Sequence, residues 1–110
     1  MLERGSLRAD GRPLVGEQFR RLAQVQNVVI EEIVSSALPG SFDYRQDHDE
    51  WVVVLDGEAQ LDVDGAAVTL VSGDWVLIRA QTPHRVVRTE AGTRWLAVHI
   101  HPFAQSNVAQ

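Results

Sequence analysis

The stretch AQLDVDGAAVTLV, residues 59–71, decides the fold class. Two runs of β-forming character, QLDV and AAVTL, flank Asp64-Gly65, a pair that tolerates the positive φ required at both central positions of a type I′ turn. The pattern predicts a tight antiparallel hairpin. Working outward, runs of the same kind lie at Val25–Ser36, Trp51–Leu55, Trp75–Arg79, His84–Thr89 and Arg94–Ile100. Turn signals separate them at Leu38-Pro39-Gly40, Asp56-Gly57, Ser72-Gly73-Asp74, Thr82-Pro83 and Ala91-Gly92. Short strands at such spacing predict an all-β, antiparallel sandwich or small barrel. Glu17–Gln24 breaks the pattern: Phe19 and Leu22 share a face at i, i+3, and two helical turns are expected there. Before it, Gly5, Gly11, Pro13 and Gly16 interrupt any long element and mark an arm. The expected organisation is an N-terminal arm with a short helix over 1–26 and a β-barrel domain over 27–110.

The chain has 110 residues, 45% of them hydrophobic, which suffices for one core and not for two. It has no cysteine, and its ten basic residues are all arginine. Disulfides, thiolate nucleophiles, cysteine-bound metals and lysine Schiff bases are therefore excluded. No serine sits in a glycine-flanked elbow of the kind a nucleophilic hydrolase needs. The net charge of −5 is unevenly spread, with ten acids against Arg45 alone between Glu31 and Asp64. Solvated strand faces and turns are the simpler reading of that acidic block, and a cation-attracting mouth is the alternative. Without a basic stripe, nucleic acid is not expected as a partner. No stretch reaches the length of about 20 apolar residues that a membrane span needs. Met1–Arg12 lacks the apolar core of a secretion signal, so a cytoplasmic location is expected.

Tyr44, Gln46, His48 and Glu50 alternate along FDYRQDHDE, so in an extended chain all four project to one side. Val52 and Val54 continue the face of Glu50, while Trp51, Val53 and Leu55 take the other. With both faces apolar, this strand is expected between the barrel interior and a second layer, such as a partner subunit. Glu50 would then enter a core, which is costly for a carboxylate unless it is paired, protonated or metal-bound. A second concentration is Pro83-His84-Arg85-Val86, where His84 opens a strand with Val86 on the same face. Taken alone, His84 reads as a hydrogen-bonded structural or surface histidine. Trp51, Trp75 and Trp95 read as core or interface residues, with Trp51 and Trp95 expected at a dimer interface. Arg85 is expected on the surface or at an interface.

The spacing of these residues resembles a known pattern. Glu50, six residues and Gly57 match the second half of G-x5-H-x-H-x3,4-E-x6-G, and GDWVLIRAQTPH, residues 73–84, is similar to G-x5-P-x-G-x2-H-x3-N. These are the two motifs of the cupins, and the sequence resembles a small single-domain cupin from Asn27 to His101. The resemblance implies an antiparallel jelly-roll β-barrel, a homodimer, and a small-molecule site in the barrel mouth. It also implies metal-ligand roles for Glu50 and His84. The two histidines of H-x-H fall on Tyr44 and Gln46, and Arg79, Gln81 and Arg88 replace the proline, glycine and asparagine of the second motif.

Zinc, iron, nickel or manganese held by Glu50 and His84 with help from Gln46 would make a weaker site than three histidines and a glutamate. His99 has two readings. The aliphatic set Leu96, Val98 and Ile100 favours an inward face of its own, with His99 on the outer or dimer side. In the alternative, small Ala97 lets His99 enter the barrel and complete a set of Gln46, Glu50, His84 and His99. His48 falls among the motif's spacer residues and is placed at the rim. Two functions follow. One is a metal-dependent dioxygenase, isomerase, lyase or decarboxylase in which Glu50 and His84 hold the metal and Tyr44 moves a proton. The other is a non-catalytic, metal-free barrel whose Glu50–His84 pair, Tyr44 and Gln46 orient a small ligand.

Overall fold

The structure is a computed structural model that describes residues 2–7, 15–37 and 43–103, with the backbone alone for 43 and 44. The turn expected at Leu38-Pro39-Gly40 and much of the N-terminal arm lie outside the described residues. Among those described, nine strands form. They are β1 (Glu17–Val25), β2 (Val28–Ser35), β3 (Asp43–Tyr44), β4 (Asp49–Asp56), β5 (Glu58–Val63), β6 (Ala66–Val71), β7 (Trp75–Ile78), β8 (His84–Thr89) and β9 (Thr93–Ile100). A five-stranded sheet runs β1-β2-β9-β4-β7 and a four-stranded sheet β3-β8-β5-β6. No helix among the described residues is long and apolar enough to cross a membrane.

The Asp64-Gly65 hairpin forms as its sequence requires. Both residues have positive φ, 50° and 87°, and Val63 pairs with Ala66 across the turn. Asp62 Oδ1 accepts from the Gly65 amide at 2.9 Å, which ties the turn to its own strand. Between the sheets, Ile33, Val52, Val54, Trp95 and Ala97 of the larger sheet pack on Ala59, Leu61 and Leu70 of the smaller. Each valine, leucine or isoleucine among them contributes roughly 1.5–3 kcal/mol on burial. Period-2 alternation thus puts one face of β4 into the core, while Trp51, Val53 and Leu55 are half-buried on the other.

Two expectations are corrected. Glu17–Gln24 is not helical: it lies in β1, which pairs with β2 from Glu17↔Ser35 to Val25↔Val28. A register shift between Arg21 and Ala23 accommodates Leu22 as the extra residue of a bulge. The open edge of β2 supplies a hydrogen-bond partner for every second residue, which an isolated two-turn helix would not gain. The sheet therefore begins at Glu17, within the segment expected to be an arm.

The second correction concerns β9. Trp95 and Ala97 point inward, at 3% and 0% exposure, while Ile100 on the opposite face is 38% exposed. Aliphatic character did not identify the inner face because the outer face of this sheet is apolar too. Large Trp95 beside small Ala97 fills the space above Val52 and Val54, which pair with Ala97 and Trp95 in register. Trp95 is consequently a core residue and not an interface one; its Nε1 donates to Ser35 Oγ at 2.9 Å.

Candidate functional site in the barrel

The inward faces of β1, β2, β4, β5, β7, β8 and β9 leave a cavity of about 100 Å³ between the sheets. Ile33, Val52, Leu61, Ile78, Val86 and Trp95 form its apolar walls. Glu17, Glu31, Gln46, Glu50, His84 and His99 supply its polar groups, and no arginine lines it among the described residues. Four of the residues singled out from the sequence, Gln46, Glu50, His84 and His99, thus face one space.

Glu50, the second residue of β4, stands opposite both Ile78 and His99 and is 8% exposed. Gln46 Nε2 donates to Glu50 Oε1 at 3.2 Å. This bond sets the orientation of the amide, since the reverse flip would turn its oxygen against the carboxylate. Gln46 Oε1 is then a buried acceptor with no hydrogen-bond partner among the described residues. The Gln46 backbone is held in place by the Gln81 amide, which donates to its carbonyl at 2.7 Å.

His84 begins β8, where Val63 and Tyr44 are its register partners on either side. Its Nδ1 lies 3.0 Å from the Thr82 carbonyl, which can only accept, so Nδ1–H donates to it. The Tyr44 side chain lies outside the described part of the structure. The alternation from Tyr44 to Glu50 does not run along one strand: the chain leaves the smaller sheet after Tyr44 and joins the larger at Asp49. Gln46 and Glu50 still reach the cavity, while His48 meets His99.

His99 enters the barrel, the second of its two readings. Its Nε2 lies 2.7 Å from Glu31 Oε1 and its Nδ1 2.9 Å from His48 Nε2. The Glu31 hydrogen bond raises the His99 pKa; burial opposes this, and the charges of Glu50 and Glu31 reinforce it. On the far side, Ser35 Oγ donates to Glu17 Oε2 at 2.7 Å. Burial raises the Glu17 carboxyl; the Ser35 bond works against that, and the charges of Glu50 and Glu31 add to it.

Glu17 and Glu31 were not anticipated. The sequence pattern places Glu17 in a helix and Glu31 in the acidic block. The available signal was the alternation of Val29, Glu31, Ile33 and Ser35, which a strand reading of 28–35 turns to one face. The acidic block divides: Asp47, Asp56 and Asp64 are exposed, as solvated turns should be, but Glu31, Glu32 and Glu50 are not. Arg79, Arg85 and Arg88 lie on the exposed surface and reach Asp49, Asp62 and Glu58 at 3.5–3.7 Å, pairs worth little individually.

The cupin domain family model matches residues 35–99. The chain belongs to the cupin family. The crystal structure of a Ralstonia eutropha protein provisionally named a mannose-6-phosphate isomerase is 37% identical, with a TM-score of 0.77. That match covers 92% of this cupin and 100% of that chain. An RmlC-like cupin from Shewanella frigidimarina is 15% identical over 97% of this chain and 99% of its own, with a TM-score of 0.71. KdgF from Halomonas is 15% identical over 86% and 84%, with a TM-score of 0.72. At these last two identities the likeness is one of fold. No curated protein matches the sequence.

Cupins commonly hold a transition metal in the barrel, and the donors here can be tested against one. Both His99 nitrogens are taken by Glu31 and His48, and the Gln46 amide hydrogens face Glu50. Among the described residues, ligand atoms of Glu50, His84 and His99 do not gather within 4.8 Å of one another. This arrangement does not suit a resident transition ion, which needs its donors on one small shell. What it offers is a row of acceptors, Glu17, Glu31, Glu50 and Gln46 Oε1, above apolar walls.

Proposed function

We propose that this cupin binds a small, hydrogen-donor-rich molecule, bearing hydroxyl or ammonium groups, in the barrel and without a resident metal there. The observation that carries the reading is Gln46 Oε1, an unsatisfied buried acceptor beside the Glu50 carboxylate. A buried acceptor without a donor costs about 1–3 kcal/mol, which a ligand hydroxyl or ammonium would recover. Three carboxylates and no arginine around the cavity make it a poor host for a phosphate dianion. The related Ralstonia protein's printed activity on a phosphorylated sugar is therefore not carried over to this chain. The test is thermal-shift and calorimetric titration with glycerol, ethanolamine, mannose and mannose 6-phosphate. Binding of one of the unphosphorylated probes, weakened about tenfold or more in Gln46→Leu, is expected. Tighter binding of mannose 6-phosphate than of mannose would sink the reading.

A second reading, a metal-assisted isomerase, lyase, dioxygenase or decarboxylase, is favoured by one observation. Glu50 and His84 occupy the motif positions of metal ligands and line the same cavity. It predicts stoichiometric iron, zinc, nickel or manganese in untagged protein, lost in both Glu50→Gln and His84→Ala. We infer further that the protein is a homodimer. Support comes from the outer face of the larger sheet, where Trp75, Leu77 and Ile100 are exposed and Trp51 lies tilted against Trp75 with centroids 5.9 Å apart.

A further inference from the structure

The geometry points to a divalent transition-metal site on the rim of the barrel, formed by Asp47, His48 and His101 and separate from the cavity donors Glu50 and His84. One ligand atom from each of the three residues lies within 4.8 Å of the others. The His48 and His101 rings are tilted against each other with centroids 4.2 Å apart. No hydrogen bond to the His101 ring forms among the described residues.

The hydrogen-bond chain behind this cluster decides which atoms it presents. Glu31 accepts from His99 Nε2–H, so in a neutral His99 ring Nδ1 is the acceptor. With His99 in that neutral form, His48 Nε2–H is the donor in the 2.9 Å contact between the two rings. A neutral His48 is left with its lone pair on Nδ1, and that atom lies 3.4 Å from Asp47 Oδ1. In that tautomer the Nδ1 lone pair and the Asp47 carboxylate are both turned toward the point where His101 also reaches, as ligands of one cation are. The spacing fits: ligand atoms about 2.1 Å from a tetrahedral ion lie about 3.4 Å apart.

The supporting groups match what metal-bound histidines require. A ligating imidazole commonly donates its other N–H to an acceptor that holds the ring, and the chain His48, His99, Glu31 does this. His101 is fixed by paired bonds to Asn27, its amide donating to the Asn27 carbonyl at 2.8 Å and Asn27 Nδ2 donating to its carbonyl at 2.9 Å. The 45–48 segment is pinned on both sides, by Gln81 N to the Gln46 carbonyl and by Ala80 N to Asp49 Oδ1. Two imidazoles and one carboxylate select ions of the zinc, cobalt and nickel class over calcium or magnesium, and leave a position open to water or a donor ligand.

The test is titration of the untagged full chain with Co²⁺, followed by its visible absorption bands, and with Zn²⁺ by calorimetry. One ion per chain is expected. Asp47→Asn and His101→Ala should each weaken it about tenfold or more, while Glu50→Gln and His84→Ala bind as the parent does. Asp47 is 84% exposed, so Asp47→Asn leaves the fold intact and its result can be read directly. Absence of binding to the parent overturns the proposal. So does retention of the ion in both rim variants, or its loss from Glu50→Gln or His84→Ala. The sugar and amine titrations are independent of this outcome, so the cavity reading and the rim site fail separately.

Discussion

Glu32 is a carboxylate with no exposed side-chain surface, held between two arginines. Arg20 Nη2 reaches Oε1 at 2.5 Å and Arg94 Nη2 reaches Oε2 at 2.8 Å. Burial alone would raise its pKa, but the hydrogen bonds and charges of Arg94 and Arg20 outweigh it and hold the group below the ordinary glutamate value. A depressed carboxyl stabilises the fold above its unfolded value, roughly pH 4.3, and that contribution is lost as pH falls through the lower folded-state value. Denaturant unfolding of the parent should therefore lose stability on acidification in that window. Glu32→Gln should cost about 2 kcal/mol at neutral pH and flatten the acid limb, the two half-exposed arginines remaining hydrated. An unchanged acid limb would contradict this. Of these residue-level facts, the sequence disclosed Glu50 and His84 through motif spacing. It could not distinguish Glu31 from Glu32, adjacent acids that a strand sends to opposite faces.

At the scale of elements, the β4–β5 corner shows why one glycine matters. Gly57 has φ +97°, and a Cβ built on it would lie 2.5 Å from Thr93 Oγ1 and 2.9 Å from Thr93 Cα. Thr93 cannot yield, because its hydroxyl donates to the Glu90 carbonyl at 2.8 Å and it is fully buried. Gly57→Ala should lose about 2 kcal/mol or more by equilibrium unfolding, from strain and overlap together. A loss below half that would show that the corner relaxes. The second motif makes the complementary point: Gln81, standing where the motif has glycine, still adopts φ +67°. The turn's geometry outlasts the residue that favours it. Turn chemistry made Asp64-Gly65 and Asp56-Gly57 legible, whereas β1 was not, since an edge strand takes its conformation from the neighbour it pairs with and not from its own pattern.

For the whole molecule, the decisive surface is the outer face of the larger sheet. Its upper part is covered by residues of the N-terminal segment, where Arg20 donates to the Ser6 carbonyl and Arg94 to the Leu7 carbonyl. The part around Trp75, 58% exposed, and Leu77 has no cover from the described residues. Light scattering should give twice the chain mass at micromolar concentration, and Trp75→Glu should give a folded monomer, since a charge there opposes burial in an interface. A monomeric parent protein would contradict the dimer.

Alternation and turn residues alone pointed to an all-β antiparallel sandwich or barrel, its hairpins and the shared face of Glu50, Val52 and Val54, because these depend on contacts a few residues apart. The family motifs added Glu50, His84 and Gln46 as residues sharing one space. Only the tertiary structure decided which face of β9 is inside, since both faces are apolar and the choice rests on how Trp95 and Ala97 fit over Val52 and Val54. With that choice made, His99 enters the barrel, meets Glu31 and His48, and brings His101 to the rim beside Asp47. Glu31 and His99 alone are separated by 68 positions in the chain, and nothing local to either records the meeting.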